Sequence, residues 1–107
     1  SKNMLLGSNG QNIYPEEIED KLNSLPLVSE CLVIQSGEKL IALVYPDYDE
    51  AQNLRLNTDD LKNIMEENRT QLNTIVPAYC KVSEIRIQEE EFEKTPKKSI
   101  KRFLYTK

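Results

Sequence analysis

The chain has 107 residues, 38% hydrophobic and 30% charged, with a formal net charge of −4. That is enough for one domain around one core. It makes no electrostatic case for binding nucleic acid, and no apolar run approaches the roughly 20 residues of a transmembrane helix. Histidine is absent, and the two cysteines, Cys31 and Cys80, stand in no metal-binding spacing. The commonest general base and metal ligand are therefore missing, no metal site or disulfide framework is expected, and the setting reads as reducing and cytoplasmic.

The chain opens with Ser rather than Met, and no signal-peptide pattern follows. It reads as a fragment of a longer protein. Asn9-Gly10 is a hairpin signal, because both central positions of a type I′ turn need positive φ. Residues 2–6 are expected on one side of that hairpin and residues 11–13 on the other. Pro15 suits the first position of a helix. Glu16, Glu17 and Glu19 then place negative charge near the positive end of its dipole, and Ile18, Leu22 and Leu25 form an apolar stripe.

Pro26 ends that helix. Residues 28–35 and 39–45 read as two strands joined by Ser36-Gly37-Glu38. Their unbroken apolar runs imply cover on both faces, with two helices to provide it. Residues 48–56 read as an irregular polar connection. Thr58 is the expected N-cap of a second helix, whose stripe of Leu61, Ile64, Met65 and Leu72 is interrupted by Asn68, so the middle of this helix is expected nearer solvent. Pro77 stops it. Residues 82–88 alternate as a half-buried strand, and Tyr79 reads as a core or interface aromatic. The fold class is α+β: an N-terminal β-hairpin, then a small sheet of about three strands with two packed helices.

The ending, FEKTPKKSIKRFLY, follows an acidic run of Glu89, Glu90, Glu91 and Glu93. Thr95-Pro96 sets a turn or extended conformation ahead of a cluster of lysines. Such a cluster suits a phosphate or carboxylate, since Lys offers a compact positive point charge. A solvated, frayed terminus is the plainer reading of the same composition.

Two separated stretches together resemble a known family. Gly10, Ile13, Pro15, Glu17, Ile18, Glu19, Leu22, Val28 and Glu30 match the segment after the hinge in adenylate-forming enzymes: acyl-CoA synthetases, aryl-CoA ligases, luciferases and peptide-synthetase adenylation domains. Val76, Pro77 and Tyr79 resemble that family's Leu-Pro-x-Tyr stretch, and FEKTPKKSIKR resembles the closing loop of its long-chain fatty acyl-CoA branch. The resemblance spans essentially the whole chain and is specific to the small C-terminal domain. It implies a single lid domain over residues 1–107, with the hairpin at 1–13 and a basic closing loop at 92–107.

In that family the lid first helps to make an acyl-adenylate from a carboxylic acid and MgATP, then rotates for thioester formation with coenzyme A. The resemblance thus implies an acid–thiol ligase using ATP (leaving AMP), magnesium and coenzyme A in the full-length protein, with none bound to this fragment and no activity by the fragment alone. Its partner would be the large N-terminal adenylation domain of the same chain, and its substrate a carboxylic acid, a fatty acid by the Thr-Pro ending. Lys2 matches the hinge residue; Gly10 and Gln11 match the loop that approaches the pantetheine arm. A closing-loop lysine should support adenylation, but Ser99 stands where family members carry it. Lys98, one residue early, and Lys101, two residues late, are both candidates; in an extended loop Lys98 would need a local bulge to serve. A self-sufficient interaction or regulatory module is the alternative reading, and a nucleic-acid role ranks third.

Overall fold

The central strands are apolar on both sides, so the core is split into two layers around one small sheet. The computed structural model describes residues 3–106. Strands β1 (Leu5–Leu6) and β2 (Asn12–Ile13) form a short antiparallel hairpin. Helix α1 (Pro15–Leu22) follows, with Pro15 in its first turn. Strands β3 (Val28–Ser36) and β4 (Lys39–Pro46) pair antiparallel. Helix α2 (Tyr48–Asn53) and helix α3 (Thr58–Ile75) lead to β5 (Val82–Ile87), which pairs parallel to β4. The order β3-β4-β5 leaves β3 and β5 as edges.

Cys31, Val33, Ala42 and Val44 face one way, toward Ile18 and Leu22 of α1 and Met65 and Leu72 of α3. Leu32, Ile34, Ile41 and Leu43 face the other way, toward Phe92, Ile100 and Tyr105. Helices α1 and α3 therefore cover one face only. The expected helical cover of the second face is supplied instead by the C-terminal segment, which is folded down by Phe92 rather than frayed. No helix among the described residues is long and apolar enough to cross a membrane.

Several local expectations are corrected. Asn9 does not have positive φ; only Gly10 does, at 86°. The turn is closed by Gly10 N–H to Gly7 O (2.9 Å) and Gly7 N–H to Gln11 O (2.7 Å), the three-residue hairpin with a glycine bulge rather than type I′. Residues 48–53 are helical because Asp47 caps them, accepting from Glu50 N–H at 3.0 Å. The cap of α3 is Asn57, not Thr58, in a reciprocal pair with Asp60. Asn68 is only 3% exposed, and its Nδ2 donates to Pro26 O at 2.9 Å; the polar interruption of the stripe is a buried amide with a backbone partner. Tyr79 is 44% exposed, so of the two readings, core or interface, the core one does not hold.

Candidate functional site

The closing segment is held by contacts within itself and by ion pairs from Lys94 and Arg102 to the body of the domain. Phe92 is buried and packs edge-on against Tyr105, ring centroids 5.1 Å apart. The Tyr105 hydroxyl accepts from Glu93 N–H at 2.9 Å. Lys94 and Ile100 form an antiparallel bridge, and Lys94 Nζ lies 2.6 Å from Glu30 Oε2 on β3. The hydrogen bond and charge of Glu30 hold the Lys94 ammonium above its ordinary pKa. Lys101 N–H donates to Glu93 O at 2.8 Å. Finally, the Arg102 guanidinium forks onto the Glu19 carboxylate, Nη1 to Oε2 at 2.9 Å and Nη2 to Oε1.

Between these anchors the chain turns at residues 95–99. Lys98 N–H donates to Thr95 O and Thr95 N–H to Ser99 O, both at 2.8 Å, and Ser99 N–H reaches Thr95 Oγ1 at 3.3 Å. Pro96 takes the position that favours its fixed φ. Lys98 has φ 68°, so it occupies a bulge in the left-handed region where a glycine would be unstrained. Lys97, Lys98 and Ser99 are exposed and Lys101 is half-buried. Lys94 and Arg102 are taken up by Glu30 and Glu19, while Lys97, Lys98 and Lys101 have no carboxylate partner among the described residues. The loop thus presents three lysines beside Ser99.

Glu19 is 7% exposed and sits inside the apolar face of α1, flanked by Pro15, Ile18 and Leu22. Its Oε2 also accepts Val33 N–H at 2.7 Å. Burial pushes its carboxyl above the ordinary carboxylate value, against the pull of Arg102 and Val33. One turn earlier, Glu16 Oε2 accepts from Asn3 N–H (3.2 Å) and Asn3 Nδ2 (2.7 Å), and lies 3.9 Å from Arg102. Burial works upward there too, but the Asn3 hydrogen bonds, its own backbone N–H and the Arg102 charge outweigh it and hold Glu16 below the ordinary value. Glu16 and Glu19 do more than complement a dipole: they tie α1 to both ends of the described chain.

Gly10 and Gln11 lie at the tip of the N-terminal hairpin, both exposed. A Cβ built on Gly10 would meet nothing within 4 Å, so the space before that turn is open. Lys2 lies outside the described residues. A cleft of about 230 Å³ opens beside the hairpin, lined by Asn12, Tyr14, Glu17, Tyr79 and Cys80 among others. The sequence reading missed this cleft and the Glu19–Arg102 pair. A glutamate four residues after Pro15 and three before Leu22 falls within a helical apolar stripe, which was the visible signal for the pair.

The sequence pattern of the AMP-binding enzyme C-terminal domain family matches residues 2–107. No curated protein matches the chain. Among solved structures it is similar to the adenylation domain of a carboxylate reductase from Mycobacterium chelonae (TM-score 0.80, 18% identity, 95% of this chain and 17% of that one). It is similar to an anthranilate CoA ligase in complex with anthranoyl-AMP (TM-score 0.77, 23% identity, 96% and 18%). A third similar structure is a fatty acyl CoA synthetase of Mycobacterium tuberculosis (TM-score 0.61, 21% identity, 94% and 18%). The chain thus spans under a fifth of each of these proteins, and at these identities the likeness is one of fold. With the family pattern running across it from end to end, the chain belongs to the C-terminal domain family of AMP-binding enzymes.

Proposed function

We propose that this chain is the lid of an AMP-forming acyl-CoA ligase, the whole of residues 1–107 serving a large N-terminal adenylation domain of the same protein. The observation that carries the reading is the closing turn: three lysines without carboxylate partners among the described residues, on a loop whose Lys94 and Arg102 are pinned to the body of the domain. Such a loop suits the negative charge of a carboxylic acid and of the ATP α-phosphate brought together. Lys98 is the first candidate for that contact, because its bulge lets a side chain one residue early leave the loop in a new direction; Lys101 is the second.

Gly10 and Gln11, at an open hairpin tip, suit the approach of the pantetheine arm of coenzyme A, and Lys2 is the proposed hinge. In this reading magnesium travels with the ATP phosphates, which leave it needing few protein ligands. The Thr95-Pro96 ending favours a fatty acid as substrate, and a cytoplasmic location suits a ligase drawing on ATP and coenzyme A.

The test uses the full-length protein. Lys98→Ala or Lys101→Ala is expected to slow acid-dependent pyrophosphate exchange by about 100-fold while sparing thioester formation from supplied acyl-adenylate. Gly10→Leu should do the reverse. Equal loss of both half-reactions in the lysine variants, or an untouched second half-reaction in Gly10→Leu, would overturn the corresponding assignment.

A further inference from the structure

Three parts of the molecule meet at one buried carboxylate. Helix α1 lies on one face of the sheet and the closing segment on the other. Strand β3 is the edge between them, and Val33 turns its N–H outward, away from β4, to Glu19. Arg102 comes from the second face and forks onto the same carboxylate. The pair therefore clamps the two layers together around the free edge of β3. Glu16, on the same side of α1, catches Asn3 of the leading segment.

We propose that Glu19 is a positioning residue for the closing loop, acting through Arg102 to fix where Lys98 and Lys101 stand. The proposal rests on the reading of the domain as a ligase lid. Its physical ground is the difference between a fork and a greasy contact. A bidentate guanidinium–carboxylate pair sets distance and rotation together, whereas an apolar pair of similar volume supplies stability without direction. Lys101 lies between two anchored residues, Ile100 on the second face and Arg102 on Glu19, and its own N–H is held by Glu93 O. Lys98 is joined to that anchor by three further residues, one of them Ile100. A shift of Arg102 is therefore passed to both lysines. Misplacement of a catalytic group by an ångström costs about 100-fold in rate.

A merely structural role and a positioning role separate in the double variant Glu19→Met with Arg102→Leu in the full-length protein. Removing both charges leaves no buried ion alone, but the Val33 N–H loses its acceptor, so the unfolding midpoint is expected to fall somewhat while the domain stays folded. Pyrophosphate exchange should nonetheless fall by about 100-fold in kcat, with KM for ATP and the rate of thioester formation from supplied acyl-adenylate within about twofold. Tryptic cleavage after Lys98 should quicken in the folded double variant. Exchange at the parental rate in a stably folded double variant would overturn the proposal, as would equal loss of both half-reactions. Should the double variant fail to fold, Arg102→Lys decides: it keeps the charge and loses the fork, so parental exchange there overturns the proposal and lowered exchange supports it. A parent protein with no acid-dependent exchange at all would overturn the lid reading instead. The tryptic arm would then decide the clamp, unchanged cleavage counting against it.

Discussion

The turn at residues 7–11 and the turn at residues 95–99 are closed by the same two backbone hydrogen bonds, and each places its fourth residue in the left-handed region. They differ in what occupies that position and in what lies behind it. At the N-terminal turn it is Gly10, in open space, with Ile13 buried behind it against the helical face. At the closing turn it is Lys98, with Phe92 buried behind it on the opposite face. One backbone solution thus takes two different residues. With glycine the tip is left without a side chain; with lysine a cation sits on a strained backbone.

The largest effect should come from removing the anchor behind one turn only. Phe92→Ala is expected to cost about 3–5 kcal/mol, measured by urea denaturation, and to free the closing turn while the N-terminal hairpin keeps its amide protection. Equal loss of protection in both turns would show that the two layers are not independently anchored. A smaller and mirrored pair of effects sharpens the comparison at the fourth position. Gly10→Ala should destabilise by about 1 kcal/mol, from the left-handed backbone alone, since no atom crowds the new Cβ. Lys98→Gly should stabilise by about 0.5 kcal/mol, relief of the same conformation being partly offset by the freedom glycine loses on folding. Changes of the same sign in the two variants would break the equivalence of the turns.

Most of the fold was legible because its signals are local. Pro15 and Pro77 mark helix ends, although α1 stops at Leu22, short of the expected stop at Pro26, and the runs in β3 and β4 announce strands buried on two sides. Helix α2 was not legible: among its six residues only Ala51 is buried, so no period exists to read, and its cause is a single side-chain cap from Asp47. The site divides the same way. Lys98, Lys101 and Ser99 were singled out as candidates from a motif, but the bulge at Lys98 depends on backbone conformation. The partner of Arg102 is 83 residues away in sequence, in a stripe where Glu19 reads at first as dipole chemistry. Cover for the second face was assigned to helices because a charged, proline-containing tail carries no amphipathic period; Phe92, Ile100 and Tyr105 suffice once a turn brings them together.

The smallest effect is electrostatic and separates the two carboxylates that tie α1 to the two ends of the described chain. Glu16 is held below the ordinary glutamate value and Glu19 above it. Linkage then gives them opposite signs. The contribution of Glu16 is present above the unfolded-state value and is lost as pH falls through its lower folded value. The contribution of Glu19 is full below the unfolded-state value and is lost as pH rises through its higher folded value. Over the carboxylate range the two slopes oppose, so Glu16→Gln should leave a domain whose stability rises more on acidification than the parent's. Carbon-detected NMR of the glutamate carboxyls tests the order directly. Glu19 is expected to titrate at the higher pH, burial outweighing the pull of Arg102 and Val33. The reverse order would mean that the fork dominates burial, and that the closing segment is held more tightly than the Asn3 end.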